Sequence, residues 1–257
     1  GLNTASQLKY NYADEVRGEI DIDQHNNIYI ATCTESIDFP TINSFQNNSN
    51  GGQEGCVIKM DNQLTTIIWS TYLGGANDDA IYSLALDEND DIYVTGGTNS
   101  ADFPVTTNAY QSSYQDSIKA DAFVTKISSN GSQVLASSYF GTNQYDQSYF
   151  VEIGRTNSIY LFGQTKIMGT QLVNNATYSV EDGSQFIAVF NEDLSSILRS
   201  TVVGTGKGTP DISPTAFLVD ICDKIYIAGW GSNLGGPLST LNLPVSSNAY
   251  QQTTDGN

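Results

Sequence analysis

The chain has 257 residues, 28 Asp and Glu against ten Lys and Arg, and a formal net charge of −18. A surface that acidic repels phosphate backbones and anionic lipid, which argues against nucleic-acid partners and favours free solubility or cation binding. No stretch approaches the roughly 18 uninterrupted apolar residues of a membrane helix, so membrane insertion is not expected.

Fifteen Tyr and ten Phe beside two Met point to the aromatic and β-branched packing of sheets. The start, Gly1-Leu2-Asn3-Thr4, lacks the basic and apolar regions of a signal peptide, as a processed protein or an internal fragment would.

Four Ile-Tyr pairs, at Ile28-Tyr29, Ile92-Tyr93, Ile159-Tyr160 and Ile225-Tyr226, recur at intervals of 64, 67 and 66 residues. Each is preceded by an alternating segment: Glu19 to Asp23, Ser83 to Asp87, Phe150 to Ile153, and Ala216 to Asp220. Between them lie polar turns such as Gln24-His25-Asn26-Asn27 and Glu88-Asn89-Asp90-Asp91. Alternation with period two on either side of a tight turn predicts a β-hairpin with one face in a core. A third strand is expected at Cys56–Met60, Ala122–Ile127 and Phe186–Phe190. A fourth is expected at Ile67–Tyr72, Val134–Tyr139 and Ile197–Val203, each running into Gly74, Gly141 or Gly204.

Four strands per repeat of about 65 residues, without helical periodicity, predict an all-β fold: a β-propeller of four-stranded blades. The blades are expected at 17–75, 76–141 and 142–206, with a partial blade at 207–257. Residues 8–16 are expected as the trailing strand of a preceding blade. The ring within this chain is then incomplete, and further blades are expected from a longer chain or from elsewhere.

Tyr72-Leu73-Gly74-Gly75, Asp78-Asp79, Ile92 to Gly96, Asp102-Phe103-Pro104, Asn108-Ala109-Tyr110-Gln111 and Asp121 to Val124 together resemble the SBBP-type β-propeller repeat. That resemblance implies a secreted or cell-surface bacterial protein, and it brings no agreed activity or catalytic residues. Asp211 to Phe217 with Ile225 to Gly231 is similar to a variant in large surface proteins of gliding bacteria, which usually carry a type IX secretion sorting domain. The third repeat departs from the pattern, with Met168-Gly169-Thr170 where Asp-Phe-Pro is expected.

Asp38-Phe39-Pro40 and Asp102-Phe103-Pro104 read either as ligand loops or as turns whose Phe plugs the space between blades; their recurrence favours the plug. Asp21, Asp23, Asp87 and Asp91 are candidate calcium ligands, set against the simpler role of capping hairpin turns. Cys33 ends one strand and Cys56 begins the next, so they are either a disulfide or two buried thiols. Cys222 is expected unpaired, because three cysteines cannot all pair within the chain.

The lone His25 lies in a turn, so no Ser-His-Asp or Cys-His set is expected within the chain. Gly204 to Thr209 superficially resembles a phosphate loop but leads to Pro210 rather than to a helix, and reads as an inter-blade loop. Tyr110 and Trp230 are either a sugar-stacking platform or packing residues.

The leading expectation is a non-enzymatic extracellular binding or scaffold module that meets a polysaccharide, a surface protein or other domains of a longer chain, with no cofactor other than calcium. The alternatives are a carbohydrate-active enzyme with part of its site outside this chain, and a structural spacer in a surface fibre.

Overall fold

A computed structural model describes residues 5–9, 11, 14–115, 119–231 and 240–253. Among the described residues the regular elements are fourteen strands and two short 3-10 turns, Ser6–Leu8 and Asp14–Val16, an all-β architecture. The first sheet is β1 (Glu19–Ile22), β2 (Ile28–Thr34), β3 (Glu54–Met60) and β4 (Ile67–Leu73). The second is β5 (Asp79–Leu86), β6 (Ile92–Thr98), β7 (Asp121–Ile127) and β8 (Val134–Phe140). The third is β9 (Asp146–Ile153), β10 (Ile159–Thr165), β11 (Gln185–Phe190) and β12 (Ile197–Val203), and β13 (Ser213–Val219) pairs with β14 (Ile225–Trp230). Within each sheet the strands follow in sequence order and every pair is antiparallel. This is a propeller of four-stranded blades, incomplete over the described residues.

The hairpins form where the sequence alternates, and they turn on residues that tolerate a left-handed backbone. Asn26, Asp90, Asn157 and Asp223 occupy the same place in successive hairpins with φ of 62°, 60°, 57° and 58°. Successive blades stack through their first two strands: β5 lies against β1 and β2, β9 against β5 and β6, and β13 against β9 and β10. Aromatic residues fill the gaps between blades. Tyr29 and Trp69 meet edge to face at 6.1 Å, and Phe162 stacks on Phe217 at 5.4 Å.

Two expectations differ from what is found. Strands β5 and β9 begin at Asp79 and Asp146, several residues earlier than the alternating segments suggest, because these aspartates are buried in the ladder rather than placed in turns. The trailing strand expected at 8–16 is not found among the described residues, and Tyr10, Tyr12 and Ala13 lie outside them. Leu8 and Asp14 belong instead to 3-10 turns docked on the second and third blades. The Leu8 carbonyl accepts from the Tyr82 hydroxyl (2.5 Å) and the Gln147 amide (3.1 Å), and Asn11 exchanges hydrogen bonds with Gln164. A buried hydroxyl on β5 and a buried amide on β9 thus satisfy the Leu8 carbonyl, while Gln164 on β10 holds the Asn11 side chain. No helix among the described residues is long and apolar enough to cross a membrane.

Candidate functional site

The hairpin aspartates serve the turns. Asp23 accepts from the backbone of His25 and Asn27 at 2.9 and 2.8 Å, and its second oxygen meets the Lys59 ammonium at 3.1 Å. Asp87 does the same for Asn89 and Asp91, with Lys126 at 2.9 Å. Each lysine also lies over the tyrosine of its blade's Ile-Tyr pair, 4.7 Å from Tyr29 and 5.1 Å from Tyr93. Burial works to raise the Asp23 carboxyl, but the hydrogen bonds from Asn27, Lys59 and His25 prevail and hold it at about 2. Asp91 accepts from the Ser129 backbone, and Asp21 from its own neighbour Ile22.

The four calcium candidates therefore do not converge on one point. The group that does come together on the hairpin side is Asp23, His25 and Asp90, with one ligand atom from each inside a 4.8 Å cluster. Lys59 already neutralises its buried member.

Cys33 and Cys56 are free thiols. Register explains it. Cys33 faces Gly55 across the ladder and Cys56 faces Thr32, so the two cysteines are offset by one residue and project to opposite sides of the sheet. Burial pushes the Cys33 thiol up to about 11 and the Cys56 thiol up to about 12, which leaves both unreactive. Cys222 is exposed and His25 lies in its turn.

The Asp-Phe-Pro loops pack. The Phe103 ring lies 4.3 Å from Phe123 and 6.0 Å from Tyr139, while Asp102 accepts from the Ala76 backbone at 2.9 Å. Phe39 meets Tyr72 at 5.2 Å. The glycine-rich run after β12 is an inter-blade corner in which Lys207 pairs with Asp211 at 2.8 Å. Trp69 is buried, whereas Tyr110 and Trp230 stay about half exposed.

Three further places were not read from the sequence. At the corner between the first two blades, Glu54 and Asp79 are both fully buried. Glu54 Oε1 accepts from the backbones of Asn50 and Gly51 at 2.6 and 2.7 Å, and Asp79 Oδ2 accepts from Gly75 and the Ser100 hydroxyl at 2.7 and 2.9 Å. A repeat of buried leading aspartates, Asp14, Asp79, Asp146 and Asp211, is the signal that could have found this corner.

The second place is on the innermost strands. Glu19 accepts from Ser83 and Leu84, and Glu152 lies in its field; burial, with Glu19 and Asp21 close by, pushes the Glu152 carboxyl up to about 7. The third is a cleft of about 290 Å³ between the second and third blades, lined by Tyr110, Gln115, Asn143, Gln171 and their neighbours. Gln171 follows the altered Met168-Gly169-Thr170 loop. The last repeat carries an insertion relative to the others from Gly231 to Pro237, and its residues after Gly231 lie outside the described ones.

Sheet order, repeat length and inter-blade aromatic packing define the class: a β-propeller built from sequence repeats. Residues 68–104, from β4 through the Asp102-Phe103-Pro104 loop, match the family model of the SBBP Beta-propeller repeat. No curated protein matches the chain.

Proposed function

We propose that the chain is a non-enzymatic binding or scaffold module of a secreted or cell-surface bacterial protein, and that the cleft between its second and third blades binds a neutral polyhydroxylated ligand such as a polysaccharide. One observation carries this reading: the cleft lining. Asn143 and Gln171 are exposed there with no side-chain hydrogen-bond partner among the described residues, beside the half-exposed Tyr110 ring, and among the described residues the wall holds no carboxylate, amine or imidazole. Carboxamides both donate and accept, as sugar hydroxyls do, and an aromatic face suits the apolar side of a sugar ring. The extracellular setting rests on the resemblance of Tyr72 to Val124 to the SBBP-type repeat, and the type IX route on the resemblance of Asp211 to Phe217 and Ile225 to Gly231 to surface proteins of gliding bacteria.

A glycan array probed with the chain, followed by calorimetry on any hit, tests this. Asn143→Ala and Gln171→Ala together should weaken binding by roughly tenfold or more without changing the melting temperature. An array with no retained glycan, or a hit indifferent to both substitutions, sinks the proposal.

A second reading has its own support. Glu19 and Glu152 on the innermost strands are held toward the protonated form by burial, as a general acid requires. Under that reading the chain cleaves a glycosidic bond and Glu152→Gln abolishes turnover; an unchanged rate in that variant removes it.

A further inference from the structure

Every boundary between successive blades is built from the same two parts. One blade contributes the tyrosine of its Ile-Tyr pair, and the blade after it contributes two apolar positions of its first strand. Tyr29 packs in one cluster with Leu84, Tyr93 with Val151 and Ile153, and Tyr160 with Phe217 and Val219. Register puts the apolar pair in the same place each time. Leu84 and Leu86 face Val94 and Ile92 across the hairpin, Val151 and Ile153 face Leu161 and Ile159, and Phe217 and Val219 face Ile227 and Ile225. In the first blade the same places are held by Ile20 and Ile22, opposite Ile30 and Ile28.

One half of this contact is left over at each flank of the stack, and the two halves are complementary. Tyr29, Tyr93 and Tyr160 are buried, whereas Tyr226 is 54 % exposed and its cross-strand partner Leu218 is exposed beside it. Leu84, Val151 and Phe217 are buried, whereas Ile20 is 66 % and Ile22 55 % exposed. The first blade thus shows solvent a face that meets a tyrosine at the other boundaries, and the last described blade shows the tyrosine that meets such a face. Large apolar side chains grouped on one exposed strand face mark an interaction surface.

We propose that a second copy of this chain covers both faces: Tyr226 and Leu218 of each copy seat on Ile20 and Ile22 of the other, and the two copies close one ring. The occupant follows from continuity with the contact that the chain already makes between its own blades. The strands which that contact needs are present on both sides. Blades stack through their first two strands, β5 against β1 and β2 and β13 against β9 and β10, so β13 and β14 suffice on one flank and β1 on the other. The described residues fill four blade positions, and two copies bring twice that number, at the upper end of the range of about four to eight found in propellers. The contact is head-to-tail, with different residues on its two sides, and such a contact gives a ring rather than a filament when its rotation closes.

Charge gives the proposal a signature in the unaltered chain. Each copy carries a formal net charge of −18, so two copies repel until salt screens them. An apolar contact between such chains tightens as ionic strength rises, whereas one held by surface ion pairs weakens.

The experiment is sedimentation velocity on the chain from about 1 to about 100 μM, in about 0.05 M and about 0.5 M NaCl. A species of twice the chain's mass that grows with concentration and is favoured by salt is expected. Ile22→Glu and Tyr226→Ala each change a residue that is exposed in the single chain, so both variants should fold. Each should weaken association by roughly tenfold or more. An equimolar mixture of the two should associate more tightly than either alone, because it restores one contact with both faces intact. An unaltered chain that stays monomeric at about 100 μM in about 0.5 M NaCl overturns the proposal whether or not the variants fold, and so does growth without limit in size. Loss of the dimer in one variant only overturns it too, by showing a contact between like faces, as does a mixture no tighter than its components.

Discussion

The second and third blades have the same four-strand order and differ in three sets of contacts, and in each set the partners change together. In the second blade Asp87, Lys126 and Tyr93 form a charged clasp at the hairpin. In the third, Gly154 stands where the aspartate was and Val189 where the lysine was, while Tyr160 remains. Phe103 and Tyr139 lock the long loop of the second blade; the third has its Met168-Gly169-Thr170 loop and Val202. Gln111 ties Gly141 to Asp121 at the second blade's corner, and Ser184 replaces that acid in the third. Partners that disappear as sets are parts of one interaction, because either partner left alone would be a buried charge or an unfilled gap. The third blade lacks these contacts; its loop instead buries Ile167 and Leu172 in the core shared with the second blade, and Gln171, next to Leu172, lines the cleft.

The largest break in this comparison should come from Phe103→Ala. The ring is 2 % exposed and touches Phe123 and Tyr139, so truncation leaves a cavity between loop and sheet and should cost about 3–5 kcal/mol in denaturant unfolding. Gln171→Ala, in the loop that replaces this lock, should stay within about 0.5 kcal/mol of the unaltered chain. Equal losses at the two positions would mean that the third blade's loop is as firmly locked as the second's.

Lys126→Met should come next. Burial alone would lower the Lys126 pKa, but Asp87 and Tyr93 outweigh it and keep the ammonium protonated. Removing the charge strands Asp87 at 4 % side-chain exposure and should cost about 3 kcal/mol at pH 7. Adding Asp87→Asn to the Lys126→Met variant should recover much of the loss, because it removes the stranded charge; a double variant no more stable than Lys126→Met would assign the loss to packing rather than charge.

The strands and the blade count were legible because half-buried strands write period two into the sequence, and Ile-Tyr pairs mark it four times. The Asp-Phe-Pro plug was legible from its recurrence. Glu54 and Asp79 were not, because an acid after Gly-Gly-Gln or after Asn-Asp reads as a turn former, and only the sheet shows that its side chain is buried. The cysteines failed for another reason. The loop from Thr34 to Glu54 does not set the parity of the pairing, and one residue of register decides which face a sulfur takes. The change in the third blade's loop was legible, but the cleft beside it was not, since Tyr110 and Gln171 lie in different repeats and meet only once the blades stack.

The smallest effect is the most direct test of whether the hairpin clasp is one unit. Gly154→Asp and Val189→Lys would rebuild it in the third blade beside Tyr160. A Cβ on Gly154 would stand 2.5 Å from the Tyr160 ring and 2.7 Å from Asp223, so the aspartate alone should destabilise through crowding and like charge. The lysine alone should also destabilise, since it places an ammonium where Val189 is 2 % exposed. Together they should recover about 0.5–1.5 kcal/mol relative to the sum of the single changes, read as the coupling energy of a double-mutant cycle. A coupling of zero would mean that the second blade's clasp depends on Glu192, which reaches Lys126 from the third blade at 3.5 Å, rather than on the Asp-Lys-Tyr set itself.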